Sequence, residues 1–215
     1  MLKYPFPWEE RRPALHEGVL FIPDYYFEHH LWSFPGFAEI FGKEAPVHVE
    51  YCSGNGAWIL EKAKNSPDLW VAVEWRFDRV RKIWSKMRNL GLKNLLIVCG
   101  DARIFAQEYL PSDSVNDVYI NFPDPWPKEK HAKNRIFQPS FIDQLARTTK
   151  GKVTTVTDDP TYRTQILTEM KNWTSSFPEP GYVTEWPEYG ASFFDTLWRQ
   201  KGCTIHYMQF ARPAC

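Results

Sequence analysis

From Val47 onward, short apolar runs alternate with stretches of helical periodicity, and each early run closes on a glycine or an acid. "VHVEYC" is closed by "SGNG", "LWVAVEW" carries Glu74 at its end, "NLLIVCG" is followed by Asp101, and "VNDVYINF" runs into "PDPW". Between them, "AWILEKAKNSP" reads as a helix ending before Pro67. "RFDRVRKIWSKMRNLG" spaces Val80, Ile83, Trp84, Met87 and Leu90 in helical steps, with Gly91 as the stop. A short helix is predicted around residues 104–110. "QPSFIDQLARTTK" and "PTYRTQILTEMKNW" give two more, on either side of the strand "KVTTVTDD". The runs are apolar throughout rather than strictly alternating, as in strands of a parallel sheet covered on both faces. The pattern therefore predicts an open α/β sandwich, mostly parallel, with helices on both faces. "YVTEW" and "CTIHYMQF" predict an antiparallel C-terminal hairpin at one edge.

Residues 1–46 lack such periodicity and are rich in proline and aromatics. They are read as an N-terminal arm and lid ahead of an α/β domain over 47–215. A length of 215 residues suits one domain with a proper core. The 26 basic and 26 acidic residues cancel, so global charge does not support a nucleic-acid partner, and any such case rests on where charges sit. Cys52, Cys99, Cys203 and Cys215 are far apart with no CxxC pair, so no metal is expected, and Cys52 and Cys99 read as buried reduced thiols. The opening "MLKYPFPWEERRP" has no continuous apolar core of a signal peptide, and no run reaches the roughly 18 apolar residues of a membrane span. The expectation is a cytoplasmic protein with no membrane partner.

In such sheets, ligands bind beyond the carboxyl ends of the strands. Gly54 and Gly56 in "EYCSGNG" allow a sharp turn and a close ligand approach, or simply tight packing. Glu74 suits a ribose diol, or could pair with Arg76 or Arg79. Asp101 can accept from an adenine amine, or could cap the helix after it. A dinucleotide site uses the first two features. The acid at the third strand points instead to S-adenosylmethionine, and Trp58 and Ile59 stand where the dinucleotide fingerprint expects a third glycine.

Asp124 ends the fourth strand between Pro123 and Pro125, which stiffen the chain around it, and Trp126 offers a flat face to a base or a sulfonium. A turn with Trp126 in the core is the plainer alternative. Lys128, Lys130, His131, Lys133 and Arg135 follow, diluted only by Glu129. A charge run is usually a solvated face, but one tied to a rigid acid suggests a lip for a polyanionic substrate. Arg76, Arg79, Arg81, Lys82, Lys86 and Arg88 add a second basic stretch.

The segments "VEYCSGNGAW", "VAVEW", "CGDAR", "VYINFPDPWPKEKHAKNRI", "TDDPTY" and "YGASFFDTLWRQKG" resemble, in order and spacing, the bacterial tRNA (guanine-N7)-methyltransferases, over about residues 47–211. The resemblance implies a Rossmann-like class I methyltransferase fold with a seven-stranded sheet, S-adenosylmethionine as methyl donor, tRNA as partner, and a monomer or homodimer. It implies that Glu50, Glu74, Asp101 and Asp124 contact the donor, with Asp124 catalytic. Lys128 and Asp158 match substrate-contacting positions. Ser192, Phe193, Phe194 and Asp195 match a Thr-x-Phe-Glu element that contacts the target guanosine, which lies in the variable loop. Lys130, His131, Lys133 and Arg135 would hold phosphates. Cys52 stands where the family usually has glycine, Ser192 replaces Thr, and Asp195 is one methylene shorter than Glu. Asp158 and Asp195 would accept from the guanine N1–H and exocyclic amine. Two rival expectations remain at this point: methyl transfer to a small molecule or protein, and an inert tRNA-binding relative.

Overall fold

The apolar runs ahead of the acids form the centre of the sheet: β3 (Val47–Tyr51), β4 (Leu69–Glu74), β5 (Leu95–Cys99) and β6 (Asp117–Asn121). β7 (Lys152–Thr157) and β9 (His206–Ala211) follow, with β1 (Ala14–His16), β2 (Val19–Phe21) and β8 (Thr174–Ser175) as shorter strands. This computed structural model describes residues 12–190 and 192–213. Within them the strand order is β1-β2-β5-β4-β3-β6-β7-β9-β8. The pairings β2–β5, β5–β4, β4–β3, β3–β6 and β6–β7 are parallel, and β1–β2, β7–β9 and β9–β8 are antiparallel.

Two features differ from the sequence reading. The sheet has nine strands rather than seven, because the stretch read as an arm supplies β1 and β2. Gly18 turns this hairpin at φ 78°, and its carbonyl accepts from the Ile97 N–H at 2.9 Å, so β2 joins the edge at β5. Leu20 is fully buried there. Strands of three residues are too short to show a period. At the other edge, β9 pairs with Thr174–Ser175, while "YVTEW" contributes only the bridge Val183↔Tyr207. The Thr184 carbonyl is taken by the Arg199 guanidinium at 3.1 Å, so that backbone is not free to extend a ladder.

One face of the sheet is covered by α4 (Ala102–Ile104, continuing as a π turn over Phe105–Tyr109), α5 (Pro139–Thr148) and α6 (Pro160–Glu169). Phe105, Phe141, Leu145 and Tyr162 pack there on Val49, Tyr51, Val73 and Ile120. The other face carries α2 (Ala57–Asn65) and α3 (Phe77–Asn89), whose Trp58, Ile59, Ile83 and Met87 meet Trp70, Ala72 and Ile97. Leu90 lies past the end of α3 and is exposed, not core as its spacing suggested. A short α1 (Phe37–Phe41) precedes β3, and α7 (Phe193–Gln200) precedes β9. Cys52 and Cys99 are half-buried rather than buried, and both are free. Burial pushes each thiol up to about 12, so both are protonated. Cys215 lies outside the described residues.

Because β3 sits between β4 and β6, connections leave it in opposite directions, and a crevice opens at its carboxyl end. Among the described residues no helix is long and apolar enough to cross a membrane, and no cluster of metal-ligating side chains occurs.

Candidate active site

Glu50 sits at the carboxyl end of β3, only 1% exposed. Its Oε1 accepts from Asn121 Nδ2 at 2.7 Å, while its Oε2 has no hydrogen-bond partner. Burial, the largest cause, pushes its pKa up to about 8. A buried carboxyl with an open oxygen is costly unless a donor or cation arrives to meet it. Ser53 Oγ–H donates to the Glu50 carbonyl at 2.8 Å and ties the following loop back onto the strand.

That loop has left-handed backbone at Cys52 (φ 61°), Gly54 (φ 57°) and Gly56 (φ 71°). At Cys52 a side chain costs about 1–2 kcal/mol in this region. Here lies the physical reason glycine suits the position, and the thiol departs from it. The two glycines do different jobs. A Cβ on Gly54 would meet Phe194 at an ordinary 3.6 Å, so that site faces the crevice. A Cβ on Gly56 would lie 2.8 Å from Ile83 Cγ1, so Gly56 serves the packing of the loop on α3. Gly56→Ala is expected to cost about 2–4 kcal/mol, from strain plus overpacking, and Gly54→Ala only about 1 kcal/mol. Denaturant unfolding of the two variants checks this; equal losses would contradict the division.

Glu74, 2% exposed, turns back onto the loop. It accepts from the Gly54 N–H at 2.9 Å and the Arg76 N–H at 2.8 Å, and Arg79 Nη1 lies 3.6 Å away. Burial raises its pKa despite these partners. Asp101 caps α4, accepting from the Arg103 N–H at 2.7 Å and from its guanidinium at 2.6 Å. Partial burial would raise this carboxyl, but the Arg103 hydrogen bonds outweigh it and hold the pKa low. Asp124 is exposed and accepts from the Trp126 N–H at 3.1 Å. Phe122 (φ 49°) and Trp126 (φ 42°) flank this segment in left-handed conformations. Such strain collects at functional sites. The four acids come from four strand ends, and after burial, which raises the Cys52 thiol most, the charges of Glu74, Glu50, Asp101 and Asp124 raise it further.

Over this crevice lies the start of α7. Ser192 caps it, accepting from the Asp195 N–H at 3.1 Å. Phe194 packs 6.1 Å from Phe122, and Ser192, Phe193 and Phe194 line one cleft with Glu50, Cys52 and Asn121. Asp195 points the other way. It is buried, with Oδ1 on Arg199 Nε at 3.0 Å and Oδ2 accepting from the Tyr207 hydroxyl. Its expected contact with guanine finds both oxygens already engaged. Asp158 is half-buried at the end of β7, with its pKa raised by burial.

Lys128, Lys130 and Lys133 are exposed around the turn Glu129–Asn134, and the His131 ring lies 5.7 Å from Trp126. Arg135 differs from them. Its Nε donates to the Pro125 carbonyl at 2.7 Å, other nitrogens reach the Trp126 carbonyl and Gln165, and its guanidinium lies over Tyr162. It clamps the Pro-Asp-Pro-Trp segment instead of standing free for phosphate.

The family described as "Putative methyltransferase" matches residues 44–203. A tRNA (guanine-N(7)-)-methyltransferase of Chlamydia felis is 46% identical over 98% of this chain and 96% of its own. One of Rubrobacter xylanophilus is 29% identical over 81% of this chain and 80% of its own. The chain belongs to the tRNA (guanine-N7)-methyltransferase family. Among solved structures, the 16S rRNA methyltransferase KamB superposes with a TM-score of 0.59 at 14% identity, covering 83% of this chain and 93% of its own. A SAM-dependent methyltransferase from Aquifex aeolicus gives 0.53 at 13%, covering 80% and 86%. The fold is thus the Rossmann-like class I methyltransferase fold, with the β1–β2 hairpin added beyond the expected seven strands.

For a methyltransferase of this family the donor is S-adenosylmethionine, and the crevice fits it. The unpaired, buried Glu50 Oε2 and the convergent carboxylates suit a cationic ligand, and the Gly54 turn leaves backbone room. Asn121, which donates to Glu50, and Tyr189, which donates to Asn121, went unnoticed in the sequence. A polar residue at the end of an apolar strand was the available signal for Asn121. Nothing local marks Tyr189, 68 residues further on.

Proposed function

We propose that this chain transfers a methyl group from S-adenosylmethionine to N7 of a guanosine in the variable loop of tRNA, in the cytoplasm. The observation that carries the reading is the buried Glu50, its Oε2 without a partner, in a cleft shared with Asn121, Ser192, Phe193 and Phe194, in a chain of this family. When bound, the donor supplies an electrophilic methyl on a sulfonium cation. Guanine N7 has a lone pair and no proton, so no base is required at the attacking atom, and alignment and exclusion of water do most of the work. Glu50, Glu74 and Asp101 hold the donor side. Asp124, stiffened by its prolines and by the Arg135 clamp, orients the two reactants. Phe194 and Ser192 cover the cleft, Asp158 accepts from the guanine edge, and Asp195 acts through α7 by fixing Arg199 and Tyr207. The base must leave its stack to enter.

Lys128, Lys130 and Lys133 form the phosphate lip, with His131 beside Trp126. Arg81, Lys82, Lys86 and Arg88 of α3 are exposed, and Lys86 Nζ donates to the Asn55 carbonyl of the loop after β3 at 3.2 Å. Replacing Lys130 and Lys133 with alanine is expected to weaken tRNA binding and lower the slope of log K against log salt by about 1–2. An unaltered slope would remove the lip from the reading. The decisive assay incubates the chain with unmodified tRNA and labelled donor and analyses nucleosides for 7-methylguanosine. Label in another nucleoside, or in none, sinks the proposal.

A further inference from the structure

We propose that Tyr189 is a positioning residue for the methyl-donor site, fixing the Asn121 amide so that its N–H side faces Glu50. The inference rests on the donor-binding reading of Glu50. Tyr189 O–H donates to Asn121 Oδ1 at 2.5 Å, and Asn121 Nδ2 donates to Glu50 Oε1 at 2.7 Å. All three side chains are buried. An amide can present either its oxygen or its NH2 to a neighbour, and only the hydrogen-bond network selects one. Burial, with the Glu50 carboxylate next, pushes the Tyr189 phenol well above its ordinary value, so it stays a donor. With Oδ1 so engaged, NH2 is left for Glu50, and an N–H favours the ionised carboxylate. Without the phenol, Oδ1 is a buried acceptor lacking a donor. Rotating the amide would then bring Oδ1 to Glu50, where it pairs with the protonated acid only.

Tyr189 is well fixed for this task. Its ring stacks 5.2 Å from Trp58 and 5.2 Å from Trp186, and its carbonyl accepts from Trp58 Nε1 at 3.2 Å. It comes from the short turn Pro187–Tyr189 that precedes α7, so the segment that covers the cleft also sets the donor carboxylate. The other titratable groups acting on this centre are Glu74, whose charge raises Glu50, Cys52, whose thiol stays protonated, the Tyr119 and Tyr207 phenols, which bear on Tyr189, and Lys62, whose ammonium lies 5.8 Å from the Tyr189 ring centroid. Ser53 is the remaining polar neighbour.

The test is Tyr189→Phe, which keeps the ring and its stacking. Affinity for S-adenosylmethionine is measured by calorimetry from pH 6 to 9 in wild type and variant, and unfolding of both ligand-free proteins is followed across the same range. The expected result is an upward shift of the binding midpoint by about one pH unit, with affinity about tenfold weaker at pH 7 and the difference narrowing to about twofold near pH 9. In ligand-free protein, the stability difference between the two should change with pH over the same window. An unmoved midpoint, or a loss equal at every pH, overturns the inference, because a packing role would act alike at all pH. A wild type that binds no donor would sink the methyltransferase reading instead. The ligand-free arm would then still decide whether Tyr189 acts on Glu50.

Discussion

Asp124→Asn is expected to lower methyl transfer to tRNA by about 10²–10³-fold while donor affinity changes by less than about tenfold. The amide oxygen can still accept from the Trp126 N–H, so the turn survives. Pro123, Pro125 and the Arg135 clamp hold the backbone independently of the charge. What disappears is one acidic group at the end of β6, beside the proposed place of the cationic donor. Single-turnover methylation with calorimetry of donor binding separates the two effects. Activity within threefold of wild type would remove Asp124 from the chemistry. A parallel collapse of donor affinity would make it a binding residue only.

Glu50→Gln should do two opposite things. Donor binding should fall by about 10²–10³-fold, since a buried charge partner is removed. The ligand-free protein should become more stable near neutral pH. The sign follows from the raised pKa: about 8 folded against an ordinary 4.5. Between those values the folded state keeps a proton that the unfolded chain has released. The group's contribution is therefore full below pH 4.5 and is lost as pH rises toward 8. At pH 7 that amounts to about 3 kcal/mol, less about 1 kcal/mol for the unpaired amide N–H left behind. The net gain of about 2 kcal/mol raises Tm by about 4–8 °C. The gain should vanish near pH 5, reverse to a loss of about 1 kcal/mol near pH 4, and level off above pH 8. Destabilisation at pH 7, or a gain independent of pH, would mean that Glu50 is not held as a costly carboxyl.

Most of the sheet could be read from one dimension because its signals are local. The runs ending at Tyr51, Glu74, Cys99 and Asn121 are continuous apolar segments, and α3 carries a helical period closed by Gly91 at φ 66°. The β1–β2 hairpin and β8 escaped notice because their place depends on a neighbour's free edge. The acids were visible as residue types at strand ends, but their use was not. Asp101 spends its oxygens on Arg103, Glu74 on the loop, and Asp195 on Arg199 and Tyr207. Arg135, one cation among five in the run, turned out to be a clamp.

The order of glycine loop and strand-end acids was enough to point to a methyl-donor fold, because backbone turns and apolar periods are encoded by near neighbours, while the substrate came only from the resemblance of "FPDPW" and its neighbours to a known family. Which carboxyl keeps an open oxygen depended on folding. Asn121 and Tyr189 reach Glu50 from 71 residues away and, through Asn121, from the far end of the chain. A hydrogen bond needs its partners within about 3 Å. Such proximity between distant residues exists only after the sheet has closed around them.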